Sequence, residues 1–221
     1  MHPKTHTSPV IEPFPLGEFQ TNCYLVRHAD PTHSNACWIA DVSFSPAPLL
    51  DRVEALGLNV QAIILTHAHV DHIAGLNEAI DRLGPIPIWI HEAERDWLSN
   101  PVLNLSTPLG LAITGPAPAR LLKHNESLTL IGEPWRVLHI PGHSPGSIAL
   151  YHEPSRQIIS GDALFAGSIG RTDFPNCSFE QLAHSIRTHL YTLPDETRVY
   201  PGHGPDTTIG FERRTNPFVR P

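Results

Sequence analysis

A chain of 221 residues with 40% hydrophobic and 17% charged side chains can bury one substantial core, and that balance excludes a disordered polymer. A net charge of −7 gives no electrostatic reason to expect a nucleic acid or an anionic membrane surface as partner. The three cysteines, Cys23, Cys37 and Cys177, are odd in number and widely spaced, which argues against a disulfide framework; Cys23 and Cys37 read as small apolar side chains inside strands. No apolar run reaches membrane-spanning length. Met1 to Leu16, broken by Pro3, Pro9, Pro13 and Pro15, lacks the basic-then-apolar order of a secretory signal. The expected location is the cytoplasm.

In chain order, residues 1–17 read as a loose, proline-stiffened lead-in, and residues 18–221 as one domain. Thr21 to Val26 and Cys37 to Asp41 are strand-like, separated by a polar turn through Asp30-Pro31-Thr32. Leu49, Leu50, Val53 and Leu56 share a helical face that Gly57 should end. Ala62 to Leu65 is a short, wholly apolar run of the kind found in buried central strands. From Asp71 the pattern predicts one helix carrying Ile73, Leu76, Ile80 and Leu83 and ending at Gly84-Pro85; Ile86 to Ile90 is again strand-like. Residues 91–134 are the least readable, with a short helix at Glu92 to Leu98 and a Pro/Gly-rich loop around Leu109 to Ala119. Trp135 to Ile140, Ser147 to Tyr151 and Gln157 to Ser160 read as strands, the last two forming a hairpin across Glu153 to Arg156. Ser178 and Gln181 open a helix bearing Leu182, Ile186 and Leu190, and Arg198 to Tyr200 is a last strand. Hairpins interrupt the alternation of strands and helices, which favours mixed sheets flanked by helices over a doubly wound parallel sheet.

The chemistry concentrates in Thr66-His67-Ala68-His69-Val70-Asp71-His72. This segment follows an apolar strand and opens an amphipathic helix, so four ligand-type side chains fall within six residues at one strand end, a metal-binding pattern. The plain alternative is an N-capping aspartate with incidental histidines. Three further segments bear on that choice. Pro141-Gly142-His143-Ser144-Pro145-Gly146, Ser160-Gly161-Asp162 and Tyr200-Pro201-Gly202-His203-Gly204 each follow a strand and deliver His143, Asp162 and His203 to its end. Four strand ends supplying ligand types to one rim imply a common centre. The remaining ten of the 15 histidines (His2, His6, His28, His33, His91, His124, His139, His152, His184 and His189) have no such setting and read as surface or ordinary packing.

The Thr66–His72 segment with the later His143, Asp162 and His203 resembles the metallo-β-lactamase superfamily from about Phe19 onward. Gly161-Asp162-Ala163-Leu164-Phe165, Gly170-Arg171-Thr172-Asp173-Phe174-Pro175 and the tail from Pro201 to Phe218 are similar to its glyoxalase II-like group, the short single-domain members in particular. The resemblance implies an α/β fold of the α+β kind, an αββα sandwich of two mixed β-sheets flanked by helices. It implies that His67, His69 and His143 bind one metal and Asp71, His72 and His203 a second, with Asp162 bridging. Asp41 would support the ligand loop from behind, and Asp71 would also orient the nucleophile or take its proton. Two divalent ions about 3.5–4 Å apart can share a water and lower its pKa towards ~7. No cysteine is in the set, and imidazole with carboxylate suits zinc, iron and manganese alike; zinc is the first choice, with iron and manganese as alternatives.

The same resemblance implies a small-molecule thioester substrate such as a glutathione conjugate, hydrolysed in the manner of hydroxyacylglutathione hydrolase. Arg171 matches a basic glutathione contact of that group, while Asp173 stands where a tyrosine contact would be; Arg171 is then either a substrate contact or the partner of Asp173 in an ion pair. The alternatives are a persulfide dioxygenase with one iron on His67, His143 and Asp162, a lactonase or small-ester hydrolase using all seven ligands, and a non-catalytic metal-binding module. Several lactamase sites carry a cysteine ligand that this chain lacks, which disfavours β-lactams.

Overall fold

In a computed structural model that describes residues 8–30 and 34–221, the chain forms two six-stranded sheets packed face to face with helices outside each. The first sheet runs in sequence order: β1 (Val10–Leu16), β2 (Thr21–Arg27), β3 (Ala36–Ala40), β4 (Asn59–Ile64), β5 (Ile88–His91) and β6 (Arg120–Leu122). Its first two pairings are antiparallel and the rest parallel. The second sheet contains β7 (Ser127–Leu130), β8 (Glu133–His139), β9 (Ile148–His152) and β10 (Gln157–Gly161). A two-strand ribbon of β11 (Leu164–Phe165) and β12 (Ser168–Ile169) follows, then β13 (Arg198–Pro201) and β14 (Thr207–Thr208), which close the second sheet in the order β14-β13-β10-β9-β8-β7. Only β10 and β13 pair in parallel within it.

Period-two alternation sorts each strand's side chains between layers. Tyr24, Val26, Trp38, Ala62 and Ile64 of the first sheet meet Leu128, Trp135, Val137, Ile148, Leu150 and Ile159 of the second in the central layer. There Trp38 and Trp135 pack edge to face with ring centroids 4.9 Å apart. The alternate residues Cys23, Leu25, Cys37, Ile39 and Ile63 face α1 (Ala47–Ala55) and the helix that follows the ligand segment. Leu138, Ala149, Tyr151, Ile158 and Val199 face α4 (Phe179–Ser185), which continues as a π-helical turn to Leu190. Both sheets are covered on both faces, which explains strands of nearly continuous apolar sequence.

Three expectations are corrected. The lead-in reading fails for residues 10–16, which form β1 along the whole of β2; residues 1–7 lie outside the described residues, as do Pro31 and Thr32 of the expected turn. Pro13 and Pro15 are two residues apart and therefore on the same side of an edge strand, where a missing N–H on the outer side breaks no ladder bond. The helix from Asp71 is two helices, α2 (Val70–Ile73) and α3 (Leu76–Leu83), broken at Gly75. A Cβ on Gly75 would stand 2.3 Å from the Ser43 carbonyl oxygen, and its N–H bonds the Val42 carbonyl; the close approach to the β3–α1 loop is what glycine permits. The helix at 92–98 is two separate 3-10 turns, Glu92–Glu94 and Trp97–Ser99. The pattern also missed β6, β7, β14 and the last helix, α5 (Ile209–Thr215). Among the described residues no helix is long and apolar enough to cross a membrane.

Candidate metal centre

Four strand ends converge on one rim. β4 leads into His67 and His69 and then α2 with Asp71 and His72; β8 leads to His143, β10 to Asp162 and β13 to His203. The two sheets are joined at this rim by a bridge between Thr21 and His203, with Asn22 N bonded to the Gly202 carbonyl at 2.7 Å. Asn22 Nδ2 donates to the carbonyls of Pro201 and Gly204, and the Tyr24 hydroxyl donates to that of Pro201. Gly202 is required by crowding: a Cβ there would lie 2.0 Å from Asp162 Oδ1.

Among the described residues the ligand-type atoms group as His67/His69/His143, His67/His72/Asp162 and Asp71/His72/His203, each within 4.8 Å of one another. His143 Nε2 lies 2.9 Å from His69 Nδ1, 3.2 Å from His67 Nε2 and 3.5 Å from Asp162 Oδ2. His72 Nε2 lies 3.5 Å from Asp71 Oδ2 and 3.4 Å from Asp162 Oδ1. His203 Nε2 lies 3.2 Å from Asp71 Oδ2 and 3.5 Å from Asp162 Oδ2. All seven residues expected at the centre are therefore together, with Asp162 between the two histidine groups.

The imidazoles are aimed. His72 Nδ1 donates to Asp41 Oδ2 at 2.8 Å, His143 Nδ1 to the Arg171 carbonyl at 2.8 Å, and His203 Nδ1 to the Phe19 carbonyl at 3.2 Å. A carbonyl or carboxylate can only accept, so each ring carries its proton on Nδ1 and turns the Nε2 lone pair inward. Asp41 also accepts from Thr66 N at 2.8 Å and Thr66 Oγ1 at 2.7 Å, and that hydroxyl is 3.1 Å from His67 Nδ1. The same carboxylate thus orients a second ring. Asp41 adopts a positive φ of 60° just after β3 to do so.

A divalent ion fits these residues. His72 Nε2 and Asp162 Oδ1 are buried, face each other, and have no hydrogen-bond partner, a costly arrangement for polar atoms otherwise almost always satisfied. Ligands about 2.0–2.2 Å from a tetrahedral ion stand about 3.3–3.6 Å apart, close to the donor spacings here. Burial and then the neighbouring His72 hold the His67 pKa well below the ordinary imidazole value. Burial and His143 bring His69 down to about 3, and burial also lowers His143. Burial would lower His72 and His203 too, but Asp71 and Asp162 outweigh it and raise both. Burial would raise Asp71 and Asp162; the facing histidines, His72 first, hold both below the ordinary carboxylate value. A carboxylate field that keeps a proton on His72 and His203 attracts a metal cation to the same lone pairs, and the two compete.

One buried residue at the centre escaped the sequence reading. Glu94 accepts from Ala68 N at 2.7 Å, from Gly146 N at 2.7 Å and from the Ser144 hydroxyl, so one side chain ties the His67–His69 loop to the His143 loop. Burial raises its pKa against the pull of these donors. Its setting in His91-Glu92-Ala93-Glu94-Arg95-Asp96 reads as exposed helix, and no local signal separates it from Glu92. Arg171 forms a two-pronged ion pair with Asp173 at 2.9 and 2.8 Å, both side chains exposed, and stacks over Phe174, whose ring faces His69. Of the other histidines, His91 stacks on His139 and His124 packs against His189, while His2, His6 and His33 lie outside the described residues.

The sequence matches the metallo-beta-lactamase superfamily over residues 16–203. The chain belongs to this superfamily. It is 37% identical over 211 residues to hydroxyacylglutathione hydrolase GloC of Haemophilus influenzae, covering 95% of this chain and 97% of that protein. Among solved structures it is similar to BLEG-1, a B3 metallo-beta-lactamase (39% identity, TM-score 0.89, 95% of this chain and 99% of that one). It is also similar to TTHA1623 in a di-iron-bound form (39% identity, TM-score 0.82, 94% and 100%). Two mixed sheets with helices outside are the fold of this superfamily, and its clustered histidines and aspartates imply divalent metal.

Proposed function

We propose that the protein is a metal-dependent thioester hydrolase of the hydroxyacylglutathione hydrolase kind. His67, His69 and His143 would hold one ion, Asp71, His72 and His203 a second, and Asp162 would be shared. The observation that carries this reading is the convergence of the Nε2 atoms of His67, His72, His143 and His203 with His69 Nδ1 and two carboxylates. The donor set suits zinc, iron or manganese; zinc remains the first choice, and the similarity to TTHA1623 supports iron as the second. Bound ions supply a Lewis acid for the substrate carbonyl and make water acidic enough to lose a proton near neutral pH.

The chain's own groups supply the rest. Asp71 accepts the Thr21 hydroxyl at 2.9 Å and is kept ionised, so a free lone pair remains to orient the attacking water and take its proton. The water oxygen adds to the acyl carbon, the carbon–sulfur bond breaks, and the thiol leaves carrying a proton. Arg171, whose carbonyl is bonded to His143 and whose guanidinium lies over Phe174, is available to meet a carboxylate of the thiol carrier in place of Asp173. The persulfide dioxygenase alternative uses only His67, His143 and Asp162 and leaves His69, Asp71, His72 and His203 without a role. The likeness to BLEG-1 favours a second reading, β-lactam hydrolysis by the same attack on a carbonyl.

Elemental analysis of the purified protein, paired with assays on S-lactoylglutathione, a chromogenic cephalosporin and glutathione persulfide, tests these readings. About two ions per chain and turnover of the thioester are expected. One iron per chain with oxygen uptake on the persulfide would overturn the proposal, and preferential cleavage of the cephalosporin would replace it with the second reading.

A further inference from the structure

A cavity of about 410 Å³ lies between the β1–β2 turn, the β3–α1 loop and the loop around residue 110, walled by Phe19, Phe44, Leu109 and Leu111. Its size falls within the range of about 300–1,000 Å³ typical of small-molecule sites. Three of the seven large hydrophobic side chains exposed among the described residues line it: Phe19 at 47%, Leu109 at 47% and Leu111 at 39%. Apolar side chains scattered singly over a surface need no explanation, whereas a cluster of them does.

None of the seven ligand residues lines this cavity, but its wall segments are tied to the segments that carry them. The Phe19 carbonyl accepts the Nδ1 proton of His203, and Phe44 stacks on Phe19 with centroids 6.1 Å apart. The loop bearing Leu109 and Leu111 is folded on Ser106 by backbone bonds from both residues. It is anchored to the ligand loop where Val70 N, between His69 and Asp71, donates to the buried Asn104 carbonyl at 2.8 Å. Arg171 and Phe174 lie on the other side, against His143 and His69. The centre thus has the Arg171–Asp173 ion pair with Phe174 next to its His69/His143 group and an apolar recess next to the segment that bonds His203. Among the described residues Glu18 is the one charged residue lining the recess, and it disfavours anionic groups there.

We infer that this recess receives the acyl portion of the substrate, and that the preferred substrates are thioesters of apolar, medium-length acyl groups rather than of small hydroxyacyl groups. The inference rests on the thioester reading above. Each methylene moved out of water strengthens binding by roughly twofold to fourfold, so reactivity should climb with chain length until the recess is full.

The test is a series of S-acylglutathiones from acetyl to octanoyl with the metal-loaded enzyme. Binding of S-methylglutathione and S-octylglutathione, which contain no bond to hydrolyse, is measured on the same protein by calorimetry. We expect kcat/KM to rise at least about tenfold from acetyl to octanoyl, and S-octylglutathione to bind at least about tenfold tighter than S-methylglutathione. In the double variant Leu109→Ser, Leu111→Ser, whose sites are exposed enough to leave folding intact, both ratios should collapse towards one. Cleavage of the acetyl thioester with a flat or falling chain-length profile would overturn the inference and leave the hydrolase reading standing. If no thioester is cleaved but the octyl preference persists and depends on the two leucines, the thioester reading falls and the apolar site stands. Ratios unchanged in the double variant would overturn the assignment of the recess.

Discussion

Asp41 Oδ2 accepts the Nδ1 proton of His72 at 2.8 Å, and both side chains are buried. Since the same carboxylate also holds Thr66 and through it His67, one residue that offers no ligand atom to the centre fixes two rings there. In Asp41→Asn the amide keeps the shape but can accept on only one side, so at least one of these donors loses its partner. Metal affinity should fall about tenfold to a hundredfold, as read by competition with a chromogenic zinc chelator. Unchanged affinity would show that the loop holds its rings without the carboxylate.

Glu94 invites a stability measurement. Glu94→Ala strands Ala68 N and Gly146 N in the interior, while the Ser144 hydroxyl keeps Ser147 as a partner, and each unpaired buried donor costs about 1–3 kcal/mol. Urea unfolding of the metal-free protein should register a loss of about 2 kcal/mol or more. Glu94→Gln retains one acceptor oxygen for Ser144 and Gly146 and should lose less. Equal losses in the two variants would point to packing rather than hydrogen bonding.

Asp162→Ala removes the carboxylate that stands between the two histidine groups. Most bound metal and nearly all hydrolysis should disappear while far-ultraviolet circular dichroism stays that of the wild type. Retention of full metal content would contradict a shared-ligand role.

Stability should depend on pH through His91. Its ring is stacked on His139 with centroids 3.9 Å apart, and burial followed by that neighbour pushes its pKa down to about 4, against about 6.5 in an unfolded chain. A pKa lower in the folded state means that folding opposes protonation. The contribution is therefore intact above about 6.5 and erodes as pH falls towards 4. Stepwise-pH urea unfolding of the metal-free protein should show His91→Gln with a shallower acid slope than wild type; parallel slopes would locate the acid sensitivity elsewhere.

Arg171→Ala separates the two readings of that residue. The pair with Asp173 is exposed on both sides, and such pairs contribute little to stability. If the guanidinium meets a glutathione carboxylate, KM for a glutathione thioester rises severalfold with little change in kcat and in melting temperature. A KM equal to that of wild type would leave only the ion pair.

The seven residues at the centre were legible because each belongs to a segment that follows a strand, and a strand's end is a property of local sequence. The strand from Thr21 to Val26 was legible too, and its alternation distributes Cys23, Tyr24, Leu25 and Val26 between two cores. What stayed hidden depends on distant partners. Glu94 looks like its exposed neighbour Glu92 until the His143 loop arrives above it. Gly75 looks like a tolerable residue inside a helix until Ser43 presses on it. Val10 to Leu16 looks unstructured because proline counts against a strand, and only the position of β1 at the border of the sheet removes the objection.

That border has a consequence for the molecule in a crowded solution. An unpaired strand edge is a template onto which another polypeptide can add, and proline is one of the devices by which natural sheets refuse such additions. With Pro13 and Pro15 along the seven-residue rim of β1, the longest margin that the first sheet leaves unpaired among the described residues is insulated against intermolecular strand growth.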